Sequence, residues 1–338
     1  MGEYESLLKE VQQEIPITQR PFLSIGDRLS MKEEEVIEVL KTLKQEKIIR
    51  QISPIYDTRM LGYDSSLVAF RVELGKIEDV ARFINSHPGV SHNYEREDEF
   101  NLWFTLAVPP NAPLSLEDTV RLMAQRVGVK DFVILRTVRM FKIGVRLTYE
   151  NLEEREEVEE RELIYRPLED IEIRLVKVTQ EDMPLVKRPF LEWSKKLGVK
   201  EQELIELMRS LKERGILRRI GAILFHRRAG WIANGMAVWN VEKERVEEVG
   251  RFIAGFKGVS HCYERTTNAV WRYNLFSMVH GRDRGEVEAL VRKIAEELSL
   301  KDYKVLFSKR EFKKRRVRYF TEEFYLWYRD FIGAVSSF

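Results

Sequence analysis

The 338-residue sequence contains a single cysteine, Cys262. One thiol can form no internal disulfide and cannot supply the paired thiolates of an all-cysteine zinc site or an iron–sulfur cluster within one chain. Long apolar runs are also absent: no stretch approaches the roughly 18 to 20 residues that a membrane helix requires. The opening MGEYESLLKEVQQE is too acidic for a secretory or mitochondrial presequence, so a cytoplasmic location is expected. Excess charge of one sign is missing as well. The formal net charge is +2 although 33% of the residues are charged, which argues against a broadly basic nucleic-acid protein. The sequence has no GxGxxG after a strand, no Walker loop, no HExxH, no serine nucleophile elbow and no paired-cysteine metal motif. No protein-held metal is expected.

What is present is a repeat. Arg20-Pro21-Phe22-Leu23 returns as Arg188-Pro189-Phe190-Leu191, and the agreement continues down the chain. After each copy comes a helix with apolar residues at helical spacing, Val36, Ile37, Val39, Leu40 and Leu43 beside Leu204, Ile205, Leu207, Met208 and Leu211. An extended segment follows, 48–56 beside 216–224. Strands are then expected near 65–74, 89–96, 100–108 and 131–141, with helices near 76–86 and 115–127. The second half repeats this, with strands near 232–241, 258–266, 270–280 and 302–309 and helices near 243–255 and 283–298. The order βαββαβ predicts a ferredoxin-like sandwich in each half, whose open face needs a partner. The expected fold is therefore α+β, a tandem duplication. Each half is a winged helix-turn-helix (1–60, 167–228) followed by a ferredoxin-like domain (61–148, 229–312), with the sheets paired about a pseudo-twofold. A charged helical linker is expected at 149–166 and a C-terminal tail at 313–338.

Helix-turn-helix followed by a ferredoxin-like domain is the plan of the Lrp/AsnC regulators. A recognition helix should offer Lys, Arg or backbone donors to phosphate in its first turn. The candidate helices instead begin Met31-Lys32-Glu33-Glu34-Glu35 and Lys200-Glu201-Gln202-Glu203, where carboxylates suit the helix dipole and repel phosphate. DNA binding is not expected of this scaffold.

Histidine is scarce, five in all, yet GVSHNYERE (89–97) is repeated as GVSHCYERT (258–266). Strand alternation would put Val90, His92, Tyr94 and Arg96 on one face, and Val259, His261, Tyr263 and Arg265 on one face in the second copy. Such a face supplies a group that titrates near neutral pH, a phenol donor and a carboxylate clamp. The next strand adds Trp271, Arg272, Tyr273 and Asn274, aromatic and polar groups suited to a flat anionic ligand. In the second half Arg218, Arg219, His226, Arg227 and Arg228 surround an apolar wing strand. The first half keeps Arg50 and Arg59 there but has no histidine, so the two halves are unequal.

At GVSHNYERE with FNLWFTL, and at RRIGAILFHR, WIANGMAVWNV and GVSHCYER with WRYNLF, the sequence resembles the siroheme decarboxylases. These are Lrp/AsnC-like enzymes of the haem d1 and siroheme-dependent haem pathways. The resemblance covers nearly the whole chain, as though both subunit types were fused. It implies removal of carbon dioxide from the C12 and C18 acetate side chains of siroheme, with no further cofactor. It casts His261 and His226 as proton donors, and His92 as a third donor or an iron or carboxylate contact. Arg50, Arg218, Arg219, Arg265 and Arg272 would hold carboxylates, and Tyr263, Trp271 and Tyr273 would line the slot, with Asn274, Arg96 and Tyr94 also at the substrate. The alternatives are a non-catalytic tetrapyrrole sensor and an Lrp/AsnC-type regulator. A homodimer of the fused chain is a further expectation.

Overall fold

The computed structural model describes residues 4–143, 166–225 and 233–335; the expected linker at 149–166 falls almost entirely outside them. The first half runs α1 (Glu5–Gln13), α2 (Pro21–Leu29), α3 (Glu33–Gln45), β1 (Ile49–Tyr56), β2 (Asp64–Phe70), α4 (Ile77–Asn85), β3 (Val90–Arg96), β4 (Leu102–Val108), α5 (Leu116–Arg126), β5 (Phe132–Leu135) and β6 (Thr137–Ile143). The second half runs α6 (Asp170–Thr179), α7 (Pro189–Leu197), α8 (Glu201–Glu213), β7 (Leu217–Leu224), β8 (Ala233–Trp239), α9 (Val246–Ala254), β9 (Val259–Arg265), β10 (Leu275–Gly281), α10 (Arg284–Glu297), β11 (Tyr303–Lys314) and α11 (Glu322–Val335). Like segments of the two halves gather into two compact units, one helical and one built on sheets.

The helical unit shows what the RPFL element does. Pro21 and Pro189 open α2 and α7, where their fixed φ suits the first helical position and the missing N–H costs nothing. The arginine before each proline binds the first carboxylate of the following helix. Arg20 Nε lies 2.8 Å from Glu33 Oε1, and Arg188 pairs with Glu201. Both carboxylates are buried. The acidic first turns are thus part of the fold, joining consecutive helices. Strands β1 and β7 pair with each other, antiparallel. This replaces the expected wing: among the described residues each half contributes one strand to a shared ribbon. The arm before each α2-like helix then crosses over, Ile15 N donating to Ile220 O (2.8 Å) and Met183 N to Ile52 O (2.6 Å).

In the sheet unit the strand order is β5-β2-β4-β3-β11-β8-β10-β9-β6. The segment read as one strand over 131–141 breaks at Arg136: β5 pairs with β2 of its own half and β6 with β9 of the other. Strand β11 does the equivalent without a break, pairing first with β8 and then with β3. The two registers correspond, Thr137 and Met140 facing Arg265 and Tyr263 as Ser308 and Glu311 face Arg96 and Tyr94. The duplication is thereby a structural pseudo-twofold. Strands β5 and β6 are consecutive in the chain yet stand at the two ends of the strand order, β5 paired with β2 and β6 with β9. Thr266 N donates to Arg136 O, between those two strands (2.9 Å).

Helices α4 and α5 cover the first sheet and α9 and α10 the second, each over its own apolar cluster. A third cluster, including Leu67, Trp103, Leu135, Met236, Trp271 and Leu306, draws on both halves and fills the space between the sheets. The exchanged strands also reach under the helices: Phe141 belongs to the second-half core, and Phe312 packs on the first. Gly250 of α9 makes room for the Phe141 ring, which would lie 2.3 Å from an added Cβ. The stretch read as a C-terminal tail contains the end of β11 and the whole of α11. Helix α11 buries Phe324, Tyr328 and Phe331, and Tyr328 joins the first-half core.

The glycine that opens the first repeated motif is also set by packing. A Cβ on Gly89 would stand 1.8 Å from Ala107 O, a backbone atom of the neighbouring strand that cannot step aside. Gly89→Ala should therefore lower the free energy of unfolding by about 1–3 kcal/mol in urea titration. An unchanged midpoint would show that β3 and β4 are not so closely apposed.

Candidate active site

The histidine strands depart from simple alternation at their first turn of pleat. Val259 pairs with Val279 while His261 pairs with Met278, so Ser260 is an extra residue, a β-bulge. A matching register shift lies between Val90 and Asn93 of β3. One inserted residue reverses the face. Val90 and Val259 therefore lie in the helix-covered cores, not beside the histidines as alternation predicts. Asn93 and Cys262 take the same covered side: Asn93 Nδ2 donates to Asn85 Oδ1 (2.9 Å), and Cys262 is fully buried.

The remaining triplets do share a face. The His92 and Tyr94 rings stack at 6.3 Å, and Arg96 lies 5.2 Å from the Tyr94 centroid. In the second half His261 stacks on Tyr263 at 6.2 Å, with Arg265 at 4.9 Å from that ring. Both arginines bond the exchanged strand or its approach. Arg96 Nη1 donates to Leu306 O (3.0 Å), while Arg265 Nη1 donates to Leu135 O (3.1 Å) and Thr137 Oγ1 (3.0 Å). Burial pulls the Arg96 guanidinium down to about 10, and burial raises the Tyr94 phenol.

At the histidine end the halves diverge. Ser91 Oγ lies 2.9 Å from His92 Nδ1 and 2.6 Å from Thr105 Oγ1. Ser260 Oγ lies 2.8 Å from His261 Nδ1 and 2.6 Å from His280 Nε2. His280, on β10, escaped the sequence reading. Its signal was a contrast between the copies, since aligning β4 with β10 puts Ala107 at its place, and the period-two spacing Phe276, Met278, His280 puts it on the histidine face. The exchanged strands differ as well. Ile143 and Met140, exposed to 38% and 43%, stand opposite His261 and Tyr263, whereas Lys314 and Glu311 stand opposite His92 and Tyr94.

Several expected site residues are engaged elsewhere. Trp271 and Tyr273 lie before β10 and are buried in the cluster between the sheets. Asn274 clamps the backbone of Val241, donating to its O (2.8 Å) and accepting from its N (2.9 Å), as Asn101 clamps Val72. Arg272 Nε donates to Asp302 Oδ2 (2.6 Å), and Arg272 holds that carboxyl down to about 2. In the helical unit Arg218 Nε donates to Asp57 (3.1 Å), Arg219 Nη1 lies 3.4 Å from Gln13 O, and Arg50 is an exposed residue of β1. His226 lies outside the described residues. Among the described residues no cluster of His, Cys, Asp and Glu could hold a metal.

Comparison with known proteins shows the family. A model described as the siroheme decarboxylase NirDL-like helix-turn-helix domain matches residues 4–50 and 172–218, and an AsnC-like ligand binding domain matches 60–142 and 228–313. The chain is 52% identical to a siroheme decarboxylase of Hydrogenobacter thermophilus over 98% of this chain and 99% of that protein. The chain belongs to the siroheme decarboxylase family. Within that family it is 35% identical to the NirDL subunit of Paracoccus pantotrophus, over 91% of this chain and 94% of that one. It is 40% identical to a siroheme decarboxylase beta subunit of Methanosarcina barkeri, which spans 45% of this chain and is itself covered to 99%. The solved structure of siroheme decarboxylase NirDL in complex with an iron-uroporphyrin III analogue matches with a TM-score of 0.81 at 48% identity, covering 99% of this chain and all of that one.

His87 stands apart from this chemistry. It is fully buried, its Nδ1 accepts from Gly89 N (2.9 Å), and the Trp327 ring lies 4.4 Å away. Burial lowers it from 6.5 to about 3. The unfolded chain therefore takes up this proton first as pH falls through 6.5. The stability that neutral His87 contributes is present above pH 6.5 and is lost progressively down to about pH 3, a change of a few kcal/mol. His87→Asn, which keeps an acceptor near Nδ1, should flatten the urea midpoint across that range. An unaltered pH dependence would refute the assignment.

Proposed function

We propose that this chain is a carboxy-lyase that converts siroheme to its 12,18-didecarboxy form. The observation that carries the reading is likeness through both halves, over 98% of this chain for one and 91% for another, to siroheme decarboxylases. The net reaction at each acetate consumes one proton, releases one carbon dioxide and leaves a methyl group, so no oxidant is required. Protonation of the pyrrole ring makes it an electron sink. The carbon–carbon bond pair then flows into the ring as carbon dioxide departs, and a proton is taken up at the exocyclic carbon as the ring proton is lost.

His261 is assigned the proton donation. Imidazole is the side chain best matched to acid catalysis near neutral pH, and it contributes about 10² to 10⁴-fold in such roles. Met140 and Ile143, opposite Tyr263 and His261, offer the apolar surface that a flat macrocycle needs, and Tyr263 adds an aromatic face. Donation by His226 and His92, and carboxylate binding by Arg50 and Arg219, belong to the same proposal, and Arg265 joins it with the guanidinium nitrogens other than the Nη1 that bonds Leu135 O and Thr137 Oγ1. Arg218 and Arg272 would take part only by giving up Asp57 and Asp302.

Anaerobic incubation of the purified chain with siroheme, followed by mass spectrometry, should show loss of two carbon dioxide equivalents. Binding without a change in mass would make the protein a tetrapyrrole sensor instead. His261→Ala should lower turnover by about 10² to 10⁴-fold, with a smaller loss for His92→Ala. Full turnover by His261→Ala would remove that residue from the mechanism.

A further inference from the structure

We infer that His280, acting through Ser260, is a positioning residue for His261, so that only the second-half strand carries a complete proton-donating group. The inference rests on the decarboxylase reading and goes beyond it by assigning roles to Ser260 and His280. Ser260 is the extra residue of the β9 bulge and is 5% exposed. The bulge brings its hydroxyl to both imidazoles, at 2.8 Å from His261 Nδ1 and 2.6 Å from His280 Nε2. His280 is itself fixed by its strand, its N donating to Gly258 O (2.9 Å).

A hydroxyl has one proton to give and lone pairs to accept. Accepting from His261 Nδ1–H and donating to His280 Nε2, Ser260 holds His261 in one orientation with its Nδ1 proton in place. Proton exchange with the substrate is then assigned to Nε2. When His261 carries its second proton, the polarised hydroxyl and the imidazole behind it stabilise the charge. No proton leaves His261 toward Ser260 in this scheme. The one delivered to the substrate comes from Nε2 and is replaced there from solvent.

The first half has the serine but not the support. Ser91 connects His92 to Thr105, a neutral hydroxyl, and Ala107 takes the position of His280. Its neighbours on the exchanged strand, Glu311 and Lys314, are charged where the second half has Met140 and Ile143.

The test is steady-state siroheme turnover by the full chain, anaerobically, for wild type, Ser260→Ala, Ser260→Thr, His280→Gln and Ser91→Ala. Ser260→Ala and His280→Gln should each lose about ten- to a hundredfold in kcat, as expected for one hydrogen bond to a charged group, with KM little changed. Ser260→Thr, which keeps the hydroxyl, should recover most of the rate, and Ser91→Ala should lose far less than Ser260→Ala. Should Ser260→Ala fail to fold, His280→Gln decides. Unaltered kcat in His280→Gln, a change confined to KM, or an equal loss in Ser91→Ala overturns the inference. A wild-type chain that leaves the mass of siroheme unchanged overturns the decarboxylase reading itself.

Discussion

The sheet unit depends on exchange of the last strand of each half. A four-stranded ferredoxin-like sheet has two edges with unpaired N–H and C=O groups, and burying them unpaired would cost more than the apolar contacts return. Here β6 pairs along β9 and β11 along β3, so each half satisfies the edge of the other. Arg265 and Arg96 reinforce the joint through the carbonyls of Leu135 and Leu306, with Tyr263 and Tyr94 against their guanidinium planes. A buried guanidinium is costly without such partners. The arginines of the repeated motif thus serve the assembly of the sheet, and the histidines are held at set positions because the strand beneath them is paired on both sides.

The duplication, the order of elements and the histidine face could be read from the sequence because they are local. Repetition, apolar periodicity and the spacing from His261 to Tyr263 to Arg265 are properties of short windows. The strand exchange could not. Nothing within residues 131–143 says that the chain changes partner at Arg136, since strand-forming residues lie on both sides of it. For the same reason a wing was expected within each half, whereas β1 found its partner in β7, far along the chain. The bulge at Ser260 is equally invisible to alternation, which misassigned Val90 and Val259. Trp271, Tyr273 and Asn274 looked like ligand contacts by residue type. Burial and backbone clamping explain all three.

Of the five histidines, four lie among the described residues, and their surroundings sort them. His87 is sealed under α11 and kept neutral, a packing group. His92 and His261 share a motif but not a setting, and His280 has no counterpart in the first half. Glycine, valine, serine, histidine, tyrosine, glutamate and arginine are the same in both copies of the motif, while on the neighbouring strands Thr105, Ala107, Glu311 and Lys314 stand where the second half has Met278, His280, Met140 and Ile143.

The strand exchange also bears on why one chain should contain both halves. A relative such as the Methanosarcina barkeri beta subunit corresponds to about half of this chain and is covered to 99%. Two separate half-length chains joined by swapped strands would have to meet at cellular dilution and would come apart as they were diluted. A peptide link turns that encounter into an intramolecular one. It also fixes the ratio of the two halves at one to one. Fusion therefore keeps Met140 and Ile143 of the first half opposite Tyr263 and His261 of the second.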